Sequence, residues 1–127
     1  MTEQSILVVE DSEALKKVLA EMLRNEKYIA YEAGGGEEGM RLALEKKPDL
    51  IITDVVMFPM DGLEMTKQIR QSGDWGKGVH IIALTNQNSA EEEGRLTELN
   101  LTAYLIKADT SLEEVVNQVK AVLKKKK

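Results

Sequence analysis

No cysteine occurs among the 127 residues, so disulfides are impossible. No apolar run approaches the ~20 residues that a membrane-spanning helix needs. Residues 1–11 lack a basic region followed by an apolar stretch, so no signal peptide is expected and the chain reads as cytoplasmic. Positive charge is also short: 17 Lys and Arg face 22 Asp and Glu, a net −5, which argues against phosphate-backbone binding and direct nucleic-acid reading. The lysines at 124–127 read as a solvated tail rather than as a group favouring the last helix turn or touching anionic lipid. The length fits one core, so residues 1–127 are expected to form a single domain without a separate output module.

What is present is an alternation. Short runs rich in Ile and Val, at 6–9, 28–33, 50–53, 79–84 and 103–106, are separated by longer amphipathic stretches. That pattern predicts a parallel sheet with helices on both faces. Helices are expected to start near Ser12, Glu37, Gly62, Ser89 and Ser111. In the first, Leu15, Val18, Leu19, Met22 and Leu23 recur at helical spacing behind an N-cap Ser12. In the last, Ser111 with Glu114 forms a capping-box signature before Leu112, Val115, Val116, Val119, Val122 and Leu123. The fourth, over 90–96, has few apolar residues and contains Gly94, which costs about 1 kcal/mol relative to alanine. It is expected to be loosely held. Right-handed crossovers make a doubly wound α/β sandwich the simplest closure, with ligands at the carboxyl edge of the sheet.

Acidic residues gather at that edge. Glu10 and Asp11 follow the first strand and Asp54 follows the third. Two carboxylates ~4 Å apart repel by about 4 kcal/mol at an effective dielectric of ~20, so a cluster of three calls for a neutralising cation, for which Mg²⁺ is suited. Taken singly, Asp11 and Asp54 also suit capping or turn positions. Taken with Thr85 after the fourth strand and Lys107 after the fifth, they supply the acids, hydroxyl and cation that phosphoryl transfer requires.

The segments Ile6-Leu7-Val8-Val9-Glu10-Asp11-Ser12, Pro48-Asp49-Leu50-Ile51-Ile52-Thr53-Asp54 and Tyr104-Leu105-Ile106-Lys107, in that order, resemble the receiver domain of two-component response regulators over essentially the whole chain. The resemblance implies a flavodoxin-like (βα)₅ fold with strand order 2-1-3-4-5. It implies Asp54 as phosphoacceptor, and Asp11, Asp54, Glu10 through water and the Val56 backbone carbonyl around Mg²⁺. Lys107 would pair with the phosphoryl oxygens, Thr85 would bond them after transfer, and Tyr104 would act as an aromatic rotamer switch. The implied donor is a histidine kinase or phosphotransfer protein. The implied output is a partner bound on the face formed by the fourth helix, fifth strand and last helix, by a monomer or weak dimer that catalyses only its own phosphorylation and dephosphorylation.

Three positions depart from the family pattern. Ala108 follows Lys107 where a proline, often joined by a cis peptide, is usual. A non-proline cis bond costs about 2.5–4 kcal/mol, so a trans or strained bond is expected there. Asn86 replaces the usual alanine beside the hydroxyl residue, and Phe58-Pro59 places the proline one residue late, which predicts a different loop path.

Other features carry less. The run Gly34-Gly35-Gly36-Glu37-Glu38-Gly39 matches a dinucleotide fingerprint, but Glu37 and Glu38 would face the pyrophosphate and the run follows the second strand. His80, the sole histidine, reads as a structural strand residue, Trp75 as a partly exposed packing residue in a loop, and Met57 and Met60 as core or loop filling. Two alternatives stand beside the receiver reading. One is a receiver-like interaction module independent of phosphate, suggested by Asn86 and Ala108. The other is an aspartate-nucleophile phosphatase of the haloacid dehalogenase type, whose second aspartate would fall at Val56.

Overall fold

A computed structural model describes residues 3–86 and 98–124. Five parallel strands lie in the order β2-β1-β3-β4-β5. They are β1 (Ser5–Val9), β2 (Ile29–Ala33), β3 (Leu50–Asp54), β4 (His80–Thr85) and β5 (Ala103–Ile106). The flavodoxin-like doubly wound order is the expected one, and the strands match the apolar runs within a residue or two. Those differences matter at the site, because Asp54 and Thr85 are the last residues of their strands rather than the first beyond them.

Alternation within the strands sends side chains to two cores. Ile6, Val8, Leu50, Ile52 and Ile82 pack against α1 (Glu13–Asn25) and the C-terminal helix, here α5 (Leu112–Val122), through Leu19, Leu23, Val115 and Val119. On the other face Leu7, Val9, Ile51 and Ile81 meet α2 (Gly36–Lys46) and α3 (Gly62–Arg70) through Ala43, Met65 and Ile69. Because β1, β3 and most of β4 are covered on both faces, their sequences contain few polar residues. Edge strands β2 and β5 keep partly exposed residues.

Helix starts follow their caps. Ser12 accepts from the Leu15 amide, Asp61 from the Glu64 amide, and Ser111 with Glu114 forms the full capping box. Two elements were not anticipated: a short helix α4 (Asp74–Gly78) and a 3₁₀ turn at Lys107–Asp109. Trp75 lies in α4 rather than in a loop, half-buried, with its indole N–H donating to the Pro48 carbonyl at 3.1 Å. In α1, Val18 is 46% exposed while Lys16 is buried, the reverse of the apolar spacing. The Lys16 stem lies along the protein and its ammonium reaches Glu13 at 2.9 Å. The loosely held fourth helix expected from Ser89 onward lies outside the described residues.

Candidate functional site

The parallel register sets Val9 beside Thr53, Asp54 beside Leu84 and Thr85 beside Ile106, so the carboxyl ends of four strands form one edge. With neighbouring strands about 4.8 Å apart, residues just past those ends come within reach of one another. Glu10 and Asp54 are 3% and 5% exposed, whereas Asp11 faces solvent. One carboxylate oxygen from each of the three falls within 4.8 Å of the others.

Lys107 arrives from the far side of the edge. Its Nζ lies 3.0 Å from Glu10 Oε1 and 3.0 Å from Asp54 Oδ2. The other oxygens are also engaged: Glu10 Oε2 accepts from the Ser12 amide at 3.0 Å, and Asp54 Oδ1 from the Val55 amide at 3.1 Å. Burial raises the Glu10 pKa and the Asp54 charge raises it further, against the opposing bonds from Ser12 and Lys107. Burial works against the Lys107 ammonium, but its bonds and attraction to Glu10 and Asp54 outweigh this and leave its pKa raised. One ammonium set among three clustered carboxylates leaves a surplus of negative charge with oxygen donors only, and these residues fit a hard divalent cation such as Mg²⁺.

The remaining predicted residues lie in or just past β3, β4 and β5. Thr85 ends β4 at 1% exposure. Tyr104, half-buried in β5, packs with Val55, Leu63, Ala83, Leu99 and Leu101. Val56 lies in the loop after β3 with its side chain 52% exposed, and Asn86 is exposed just past β4. The Phe58–Pro59 peptide is cis and, among the described residues, no other peptide is, so Lys107–Ala108 is trans.

Two glycines at this site escaped the reading from motifs. A side chain on Gly62 would collide with the Asp54 carbonyl, and one on Gly36 with the Met60 carbonyl, so both let the loop after Asp54 close tightly. The available signal was a glycine directly behind the cap Asp61, at a position where helix propensity alone disfavours it. The glycine run after β2 has a local use: Glu38 accepts the Gly34 amide at 2.8 Å, which leaves that turn acidic rather than open to a pyrophosphate. His80 opens β4 at the opposite sheet edge, 3.2 Å from Thr102 Oγ1. Among the described residues no helix is long and apolar enough to cross a membrane.

Comparison with known proteins agrees with this geometry. The profile of the family described as response regulator receiver domain matches residues 6–120. The chain is 34% identical over 104 residues to the chemotaxis protein CheY of Halobacterium salinarum, covering 82% of this chain and 84% of that protein. It is 35% identical over 123 residues to the transcriptional regulatory protein ResD of Bacillus subtilis, covering 97% of this chain and 49% of ResD, so it spans about half of that relative. Among solved structures, the chemotaxis response regulator CheY4 of Vibrio cholerae superposes with a TM-score of 0.87 at 27% identity, covering 96% of this chain and 100% of that one. The chain belongs to the response regulator receiver domain family.

Proposed function

We propose that Asp54 accepts a phosphoryl group from a phosphohistidine on a histidine kinase or phosphotransfer protein, and that the change is passed to a partner protein through a face including β5 and α5. The observation that carries this reading is the Lys107 ammonium 3.0 Å from the Asp54 carboxylate, inside an acidic cluster at the sheet edge. A buried carboxylate so placed is held in one orientation.

In the transfer, an Asp54 carboxylate oxygen attacks phosphorus in line, the P–N bond to the donor imidazole breaks, and its electron pair goes to the nitrogen, which takes up a proton. Lys107, already beside Asp54, offsets charge on the phosphoryl oxygens. Mg²⁺ bound by Asp11, Asp54, the Val56 carbonyl and, through water, Glu10 would supply the further positive charge that the incoming phosphoryl group needs. The acyl phosphate adds charge and strong acceptor oxygens at the end of β3. The Thr85 hydroxyl donates to one of them, and Tyr104 moves into the space that Thr85 vacates.

The test is labelling with acetyl phosphate and Mg²⁺ followed by intact mass. A single phosphoryl adduct, lost in Asp54→Ala and with a chelator, is the expected result. Absence of an adduct together with absence of Mg²⁺ binding would replace this reading with the phosphate-independent interaction module.

A further inference from the structure

Arg70, the last residue of α3, has no carboxylate partner among the described residues. Its guanidinium is spent on backbone carbonyls instead. Nε donates to Leu99 O at 2.9 Å and Nη2 to Asn100 O at 3.0 Å. Nη1 donates to Gly76 O at 2.8 Å, Val79 O at 2.8 Å and, at longer range, Lys77 O at 3.3 Å. These carbonyls belong to helix ends. Gly76 and Lys77 close α4, and Leu99 and Asn100 follow the helical residue Glu98, with Asn100 in the left-handed region at φ 54°. Terminal helix carbonyls lack partners within their own helix and favour a nearby cation, so one planar fork serves two endings at once.

The position of α3 gives this contact a reach. At its first residue the Gly62 amide donates to Val55 O at 2.8 Å, and Val55 in turn donates to Leu84 O and to the Asp54 carboxylate. At its last residue Arg70 holds Leu99 and Asn100, the segment that enters β5. That segment is fixed on its other side as well, by Thr102 N donating to Ile81 O at 2.8 Å and by Thr102 Oγ1 accepting from Ile81 N at 3.2 Å. Leu99, Leu101 and Tyr104 then share one apolar cluster with Val55 and Leu63. A helix of nine residues is therefore tied at one end beside Asp54 and at the other to the strand that carries Tyr104.

We infer that Arg70 is a positioning residue for the switch: it fixes the entry of β5 to the end of α3 and so sets the place from which Tyr104 responds to chemistry at Asp54. The inference rests on the proposed phosphoryl-accepting role. Arg70 touches none of the reacting groups, so its removal acts on the response and not on labelling. Geometry matters more than charge here. The ammonium of a lysine, with a single nitrogen, cannot span the separate carbonyls that Nε, Nη1 and Nη2 reach around the edge of the guanidinium.

The three tyrosines allow a direct test, because incorporation of fluorotyrosine gives separate ¹⁹F signals for Tyr28, Tyr31 and Tyr104. Wild type, Arg70→Gln and Arg70→Lys are compared before and after acetyl phosphate with Mg²⁺, with intact mass and hydrogen exchange in parallel. Both variants are expected to form the Asp54 adduct within about twofold of wild type. In Arg70→Gln the exchange of the Thr102 amide should rise about tenfold, the effect of losing roughly one charge-assisted bond. Its unphosphorylated Tyr104 signal should move or broaden, and the shift on phosphorylation should fall by at least half. Arg70→Lys should fall between, and it carries the test alone if the glutamine variant does not fold. A folded variant with an unaltered Tyr104 signal and an undiminished shift would overturn the inference. Failure of wild type to form the adduct would instead overturn the phosphoryl-accepting role, and the Tyr104 signal of the unphosphorylated variants would still decide whether Arg70 positions β5.

Discussion

Replacing Lys107 with methionine in Mg²⁺-free buffer isolates what the ammonium contributes. The substitution keeps an apolar stem and removes the cation lying 3.0 Å from Glu10 and 3.0 Å from Asp54. Each attraction is worth about 4 kcal/mol at ~4 Å and an effective dielectric of ~20, before the ammonium's own desolvation is subtracted. The two carboxylates, at 4% and 6% side-chain exposure, are then left facing each other. Loss of one partner from a buried ion pair costs about 3–5 kcal/mol when nothing else relieves the charge. Relief is available at low pH, because burial and Asp54 already hold the Glu10 pKa above 4.5 and loss of Lys107 raises it further. A carboxyl whose folded pKa is raised favours the folded state below its unfolded pKa, and that favour disappears as pH rises through the folded value. Lys107 has the same sense at the other end of the scale: its raised folded pKa gives stability that is complete below 10.5 and lost only at higher pH, so in wild type it is constant across the neutral range. The expected loss from Lys107→Met is therefore about 3 kcal/mol at pH 8 and smaller at pH 5. Urea unfolding at the two pH values measures it. A loss equal at both, or none at pH 8, would refute the assignment of Lys107 as the cation that balances this cluster.

Gly62→Ala should destabilise by about 3 kcal/mol or more and reduce acetyl phosphate labelling, because the new methyl group meets the Asp54 carbonyl; urea unfolding and intact mass read the two effects. Ser111→Ala removes one half of the capping box on α5 and should lower stability by about 1 kcal/mol with labelling unchanged. Asp11→Asn takes an acid from the cluster, so the Mg²⁺-free protein should melt slightly higher while Mg²⁺ titration followed by calorimetry shows weakened binding.

Much of the fold could be read because burial leaves so few choices. Strands β1 and β3, covered on both faces, have sequences apolar enough to mark them, and Ser12 and Ser111 mark helix starts by local hydrogen bonds that neighbouring residues already imply. What escaped depends on distant partners. α4 contains two glycines in five residues and has little propensity of its own; it is held by the Arg70 fan and by Trp75 on Pro48. Val18 follows the apolar spacing of α1 yet is exposed, while Lys16 uses its stem as packing surface. At the site the residue types were legible and their pairing was not. Nothing local in sequence joins Lys107 to Glu10, which are 97 residues apart.

That pairing explains why the edge tolerates an arrangement that opposes stability. Three acids whose oxygens lie within 4.8 Å are disfavoured in any folded chain, and a fold selected for stability alone would replace at least one. Here the apolar layers on both faces of the sheet, with each buried Leu or Ile contributing about 1.5–3 kcal/mol, supply ample stability to hold the acids together. Lys107 offsets part of the repulsion and lies where an incoming phosphoryl group would meet it. The charge left unbalanced is what a hard cation would meet, and under the proposed function an acyl phosphate on Asp54 would alter that balance at the end of β3. Because Val55 and α3 connect directly to that strand end, a change in charge there would be passed on as a change in position.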